Sequence, residues 1–528
     1  MMKHELEKQL DALEKKGVDR RHFFKLLAAT GLIAGVNTGK ANAFSSSAKG
    51  KIVIIGGGAA GISMAARLKH WLDEPDITLI DPSDRQFYQP GFTLIASGVY
   101  QPEDVWKKQE DCMPSGIKWI KDSVAAVDPV WNQVTTKSNG KIPYDFLVLT
   151  PGLQCNWEKV EGITHDTLGQ GNANSIYDFE GAQKTWKALQ EFAKKGGKGI
   201  YTDTYTKHKC GGAPKKICLL SEHYARKQGT RDKLQLNYFT ASKELYDIPY
   251  FTPRLLEIYN ERNIPINLNV RVKGVDTSAK QVHFEKIETK GEEKIVTPFV
   301  EDYDFLHFTP PMSAPDFVRD AGLGWTEGKL AADAWVMVDK ETLVHKKYQN
   351  IVSLGDVAGI PTSKTSAAIR KQVPIAAKNL IALMEGKEPT EKYNGYAACP
   401  IVTDYGHVLL CEFDYEKKPD ISFPFSMIDT SKEQWLAWIL KVYILKPMPP
   451  TSITQKSVPL YCKVPLIYSN IFLLPFRKHT MQYVLHYTLF APDSSKRAAV
   501  ITACCQTDKN CADRLDFNDK NDIIMQKQ

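Results

Sequence analysis

Four apolar positions in a row, Ile52 to Ile55 behind Lys51, run without a polar break into Gly56-Gly-Gly-Ala-Ala-Gly61. An uninterrupted apolar run of this length reads as a strand buried on both faces. The alanine-rich stretch that follows reads as a helix, and Ile77 to Ile80 as a second buried strand ending in Asp81. The same rhythm returns along the chain. Ile117–Ile120 reads as a strand, Ser138-Asn-Gly140 as a hairpin turn, and Tyr144–Leu149 as a buried strand broken by Pro151-Gly152. A second alternation begins near Gly197, with strands at 199–201, 234–239 and 266–270 and a helix over Ala213–Lys227. Asp304–Phe308 reads as the return of the chain to the first domain. Asn350–Leu354 is a further strand, closed by Gly355-Asp356 ahead of a helix. Strands alternating with helices predict an α/β protein with two Rossmann-like dinucleotide-binding domains, followed by a C-terminal membrane-interface region.

The first turn has the spacing Gly56-x-Gly58-x-x-Gly61 between a strand and a helix. Chemistry needs glycines there for a tight turn and for the backbone to approach a pyrophosphate, which rests on the positive end of the helix. Asp81, at the end of the next strand, stands where such a fold needs an acceptor for a ribose hydroxyl. Gly355-Asp356 before a helix predicts a carboxylate at a helix N-terminus, able to accept from a hydroxyl of the bound group. The corresponding turn of the second domain lacks phosphate-cradling glycines. It carries Thr206-Lys-His-Lys-Cys210-Gly-Gly-Ala-Pro214 instead, which predicts no nicotinamide site.

The chain has 528 residues, 43% hydrophobic and 24% charged, with a formal net charge of +7. That composition fits a soluble globular protein of two or three domains. No Lys/Arg block resembles a nucleic-acid patch, so nucleic acid is excluded as a partner, while mild basicity suits an anionic membrane surface. The ten cysteines are scattered without metal-ligand spacing, and no metal is expected. Asp19-Arg20-Arg21-His-Phe-Phe-Lys25, the apolar stretch 26–36 and Ala41-Asn-Ala43 together predict a Tat signal over residues 1–43, cleaved after Ala43, and a periplasmic location at the inner membrane. Residues 44–50 read as a linker. The dinucleotide domain is expected over 51–160 and 301–395, and the second Rossmann-like domain over 161–300. A C-terminal membrane region follows over 396–450, then a divergent, partly disordered tail over 451–528. The apolar segment Gln434–Lys446, with its Trp, Tyr and Lys residues, is too short to span a bilayer and reads as an interfacial helix.

In order along the chain, these motifs resemble the two-dinucleotide-binding-domain flavoproteins, and within them the sulfide:quinone oxidoreductases of mitochondria and some bacteria. The residues that carry the resemblance are Phe87-Tyr-Gln-Pro90, Lys209-Cys-Gly-Gly-Ala-Pro-Lys215, Thr309-Pro-Pro-Met312, Pro361-Thr-Ser-Lys-Thr365 and Tyr396-Ala-Ala-Cys399-Pro-Ile-Val-Thr403. They lie between Lys51 and Lys446. The resemblance implies FAD as cofactor, held by Gly56, Gly58, Gly61, Asp81, Gly355 and Asp356. It implies Cys210 and Cys399 as a catalytic pair, with the persulfide on Cys399 and the flavin-facing thiolate on Cys210. Sulfide, a small-molecule sulfur acceptor and membrane quinone are the expected partners. A disulfide sulfur is an electrophile that HS⁻ can attack, and a thiolate beside a flavin can reduce it. Cys155 reads as a spectator, and Tyr405, Phe413, Phe423 and Phe425 as quinone-site candidates. A periplasmic sulfide dehydrogenase subunit serving cytochrome c is the alternative. An NADH:quinone reductase and a flavin-binding sensor without turnover fit less well. The motifs leave the oligomeric state open.

Overall fold

The computed structural model describes residues 44–422, 425–427, 429–444, 484–488 and 500–504. The reading of residues 1–43 as a signal, Phe423 as a quinone wall, and most of the tail lie outside them.

The first sheet has five parallel strands, in the order Ile351–Ser353, Phe146–Leu149, Lys51–Ile55, Asp76–Ile80 and Lys118–Ile120. Burial on both faces explains the unbroken apolar runs: Ile52 to Ile55 are at most 2% exposed. Helix Ala59–Trp71 leaves directly from the glycine turn, and helix Ser366–Met384 packs against it.

The second sheet is also parallel, in the order Ala173–Asn174, Phe305–His307, Gly197–Thr202, Leu234–Phe239 and Ile266–Asn267. Its crossover helix spans Ala213–Lys227, as the sequence predicts. Two expectations need correction here. Phe305–His307 does not return the chain to the first domain; it inserts beside Gly197–Thr202 in the second sheet. Both neighbours bury it completely, and its apolar run cannot say which sheet claims it. The return follows immediately, where Met312–Ser313 pairs with Gln154–Cys155. Nor is 266–270 one strand. Asn269, at a φ of +58°, divides Ile266–Asn267 from Val270–Asp276, which joins a separate antiparallel sheet with Gln281–Lys290 and Glu293–Asp302.

Strands Ala397–Asp404 and His407–Phe413 form an antiparallel hairpin against which helix Ala213–Lys227 packs. The chain then reaches Trp435–Ile439, an α-helical turn that continues as a π-helical turn over Leu440–Ile444. The expected interfacial helix is thus short and half sunk into the body. Ala437, Trp438, Ile439, Lys441 and Val442 are buried, while Trp435, Leu436, Leu440 and Tyr443 remain partly exposed. Three contacts fasten this segment. Arg254 holds Glu433 through two hydrogen bonds of 2.8 and 2.9 Å, Gln434 pairs with Val408, and the Tyr100 hydroxyl donates to the Val442 carbonyl at 2.6 Å. No helix among the described residues is long and apolar enough to cross a membrane. Residues 470–528 form a separate unit, in which Val484–Thr488 and Val500–Cys504 pair antiparallel.

Candidate active site

The first turn is built for a close approach of backbone to ligand. Gly56 has a φ of +94°, and a Cβ on it would lie 2.3 Å from the Thr150 carbonyl oxygen. A Cβ on Gly61 would meet the Gly56 carbonyl oxygen at 1.8 Å, so only glycine lets the helix start against the strand. Gly58 differs. It is the N-cap of the helix, and a Cβ there would meet nothing within 4 Å. The space before the helix N-terminus is open, as a phosphate-bearing group requires.

Asp81 accepts from the Gly57 N–H at 2.6 Å and from the Ser83 N–H at 2.8 Å. Burial raises its carboxyl above the usual range, and those two N–H groups oppose the rise. Asp81 therefore fixes the glycine turn itself. Gln109, which sequence reasoning missed, donates to the Gly57 carbonyl at 2.9 Å, and its own carbonyl oxygen is buried without a partner. An orphaned acceptor beside an open glycine turn fits a dinucleotide bound there.

Gly355 and Asp356 are placed differently from expectation. They form their own single 3-10 turn, Gly355–Val357, and the long helix begins ten residues later at Ser366 with Thr365 as its cap. Gly355, at a φ of +77°, turns the chain after the strand, so Asp356 caps no long helix. Asp356 is nevertheless in the site. Burial raises its carboxyl, and Lys209 and Lys364 oppose the rise. Lys364 is buried, donates to the Ala358 carbonyl at 3.0 Å, lies 3.7 Å above the ring of Trp335, and is pushed down to about 7 by its burial.

Residues Lys209–Gly212 connect the two halves of the site. The Cys210 N–H donates to the Lys364 carbonyl at 2.9 Å, which ties the loop of the second domain to Pro361–Thr365 of the first. Cys210 sits in left-handed backbone at a φ of +51°, a conformation few side chains hold without support. Its Sγ lies 3.4 Å from Sγ of Cys399, across 189 residues of sequence. Gly212 makes this possible: a Cβ on it would stand 2.6 Å from the Cys399 sulfur.

Electrostatics distinguishes the two sulfurs. A hydrogen bond from Cys399 and the Lys216 ammonium hold Cys210 well below the usual thiol range, against the cost of burial. Lys216, in the first turn of helix Ala213–Lys227, reaches Cys210 at 3.2 Å. Burial would push Lys216 down, but the sulfurs of Cys210 and Cys399 keep it above its ordinary value. Cys399, which shares that hydrogen bond and is only 1% exposed, is driven upward by its contact with Cys210 and by burial. Lys441, from the C-terminal segment, is a second buried cation facing both sulfurs; burial pushes it down to about 7. Neither lysine was singled out from sequence. Only the spacing of Lys216, three residues into a helix that opens behind Cys210, gave a signal.

Cys155 is half-buried in Gln154–Cys155, where burial pushes its thiol up. Phe413 and Phe425 are buried, and the Tyr405 hydroxyl donates to the Ser97 carbonyl at 2.7 Å. In the second sheet, the ends of Gly197–Thr202 and Leu234–Phe239 are bridged by Asp203. Its carboxylate accepts from the Thr240 hydroxyl at 2.7 Å, the Ala241 N–H at 3.1 Å and buried Lys215 at 3.5 Å. Among the described residues no group of His, Cys, Asp and Glu side chains is arranged to hold a metal ion.

Residues 50–193 match the pyridine nucleotide-disulphide oxidoreductase family. The chain is 37% identical over 391 residues to the mitochondrial sulfide:quinone oxidoreductase of Mus musculus, covering 74% of this chain and 83% of that protein. It is 38% identical over 395 residues to the mitochondrial sulfide:quinone oxidoreductase of Dictyostelium discoideum, covering 75% and 83%. The crystal structure of the sulfide:quinone oxidoreductase from Aquifex aeolicus shares the fold, with a TM-score of 0.60 at 24% identity over 74% of this chain and 89% of that one.

Proposed function

From the premise that the chain belongs to the sulfide:quinone oxidoreductase family, we propose that it oxidises sulfide through Cys210 and Cys399 with bound FAD and passes the electrons to quinone. The observation that carries this reading is the pair of sulfurs 3.4 Å apart, with Lys216 on one of them only. FAD is held on the turn Gly56–Gly61, by Asp81 and Gln109, and by Gly355 and Asp356. When bound, FAD supplies the two-electron acceptor that quinone re-oxidises.

The oxidised pair is a disulfide. HS⁻ attacks the Cys399 sulfur, the bond to Cys210 breaks, and the bonding electrons remain on Cys210 as a thiolate. Cys399 then carries the persulfide. Lys216 supports this direction of cleavage, because its ammonium stabilises charge on Cys210 from 3.2 Å. The left-handed backbone of Cys210, fixed by its N–H bond to Lys364, aims that sulfur while Gly212 leaves room for Cys399. The persulfide sulfur leaves to a small-molecule acceptor. The partly exposed faces of Trp435, Leu436, Leu440 and Tyr443 suit peripheral contact with a membrane surface, from which quinone enters.

The N-terminal reading is export through a twin-arginine signal. The Mus musculus and Dictyostelium discoideum relatives are named mitochondrial, a different compartment. A reporter fused behind residues 1–48 separates the two. Periplasmic delivery in a bacterium, lost when Arg20 and Arg21 become lysine, supports export; import into isolated mitochondria with cytoplasmic retention in the bacterium overturns it. The activity itself is tested anaerobically. Sulfide should bleach the visible flavin band and decylubiquinone should restore it over repeated cycles. Restoration by cytochrome c and not by decylubiquinone would overturn the quinone assignment.

A further inference from the structure

Cys399 has a second cysteine beside it. In the hairpin of Ala397–Asp404 and His407–Phe413, Cys399 and Cys411 are directly opposed. Opposed residues of an antiparallel pair project from the same face, with Cα atoms about 4.5–5.5 Å apart, inside the range a disulfide bridges. Cys411 is buried, as Cys399 is. Its thiol points to the Leu409 carbonyl at 3.6 Å. Two further groups belong to this cluster. Lys216 faces all three sulfurs, of Cys210, Cys399 and Cys411. Tyr246, only 6% exposed, turns its hydroxyl toward Cys399 and Cys411. Gly212 packs directly against the Cys399 sulfur.

We propose that Cys411 is a third redox cysteine, which exchanges with Cys210 for the sulfur of Cys399. This rests on the reading of Cys210 and Cys399 as the oxidised pair. In the exchange the Cys411 thiolate attacks the Cys399 sulfur. A Cys399–Cys411 bond forms, the Cys210–Cys399 bond breaks, and the electron pair stays on Cys210. The Cys411 proton passes to the amine of Lys441, a buried lysine that faces Cys210 and Cys399. One disulfide is present before and after, so no outside oxidant or reductant is consumed. Tyr246 can donate to the developing Cys411 thiolate, and Lys216 receives the Cys210 thiolate at a contact it already makes. The product is a resting isomer. Cys399 is locked across the hairpin without the Lys216-supported leaving group that its bond to Cys210 offers, and back-attack by Cys210 restores the working pair.

The test maps disulfides in the oxidised, flavin-loaded, full-length protein. The sample is quenched in acid, alkylated with N-ethylmaleimide, and cleaved after Tyr405 so that Cys399 and Cys411 fall on separate peptides. The expected result is two linked species, Cys210–Cys399 and Cys399–Cys411, with alkylated Cys210 accompanying the second. The Cys399–Cys411 species should vanish in Cys411→Ala. Stopped-flow bleaching of the flavin by sulfide should change from two phases in the natural protein to one in that variant. A Cys210–Cys399 link with Cys411 always alkylated overturns the exchange and leaves the catalytic pair standing. Alkylated Cys399 throughout, with no disulfide at all, overturns both.

Discussion

Lys216, itself buried, points its ammonium at the sulfur of half-buried Cys210 from 3.2 Å. A charge-assisted contact in such surroundings is among the stronger hydrogen bonds a protein makes. It decides which cysteine of the pair becomes the anion.

Replacing Lys216 with methionine should therefore weaken the thiolate. A hydrogen bond to a charged group contributes about 1.5–3 kcal/mol, so sulfide-dependent flavin bleaching should slow roughly 10- to 100-fold near neutral pH. The sign follows from Cys210 being held below its ordinary value. Reactivity that needs the thiolate is present above that lowered pKa and is lost as pH falls through it. Without Lys216 the acid limb of the pH–rate profile should move to higher pH. An unmoved limb would remove Lys216 from this role.

Cys210→Ser and Cys399→Ser should each lower sulfide-to-quinone turnover by at least about 1,000-fold, and the double variant should lose no more, because one bond is removed in every case. FAD content should be unchanged, since neither side chain belongs to the glycine turn. Cys155→Ser should keep most of the turnover. Steady-state quinone reduction at equal flavin content checks all four proteins, and an inactive Cys155→Ser would mean that the pair is wrongly chosen.

The two adjacent glycines behind Cys210 should respond in opposite ways to alanine. At Gly211 the nearest atom to an added Cβ is Nε2 of His208 at 3.8 Å, an ordinary contact. At Gly212 the Cys399 sulfur lies at 2.6 Å and Cγ1 of Ile401 at 3.0 Å. Gly211→Ala should retain near-normal turnover. Gly212→Ala should push the sulfurs apart and reduce disulfide formation, measured by thiol titration of the oxidised protein. Equal thiol counts in both variants would count against the packing argument.

Gly58→Val adds a side chain where the protein has no atoms within 4 Å. The fold should tolerate it and the cofactor should not. The variant is expected to purify colourless with a normal far-ultraviolet circular dichroism spectrum. A yellow, fully loaded variant would place the pyrophosphate elsewhere.

Neither NADH nor NADPH should reduce the flavin at a useful rate. Asp203, bound to Thr240, Ala241 and Lys215, sets a carboxylate across the strand ends. Cys210-Gly-Gly-Ala-Pro214 stands where a phosphate-cradling glycine turn would be needed. Rapid flavin reduction by NADH in stopped flow would refute this.

The sequence by itself determined the local elements and the first nucleotide turn. Burial on both faces of a parallel strand leaves a run that can be read without a partner, and the glycine turn shows in its own spacing, although Asp81, Gln109 and Thr150 hold it from outside. Helix Ala213–Lys227 was legible for the same reason, from its own spacing. The motif resemblance also singled out Cys210 and Cys399, but nothing local to either residue contains the other. Their 3.4 Å approach, the fit of Gly212 against Cys399, and Lys216 and Lys441 gathered about the sulfurs are long-range packing. So are the insertion of Phe305–His307 into the second sheet and the short, half-buried helix at Trp435. Only the tertiary structure decided these, because a buried strand or an apolar segment carries no label for the surface that will bury it.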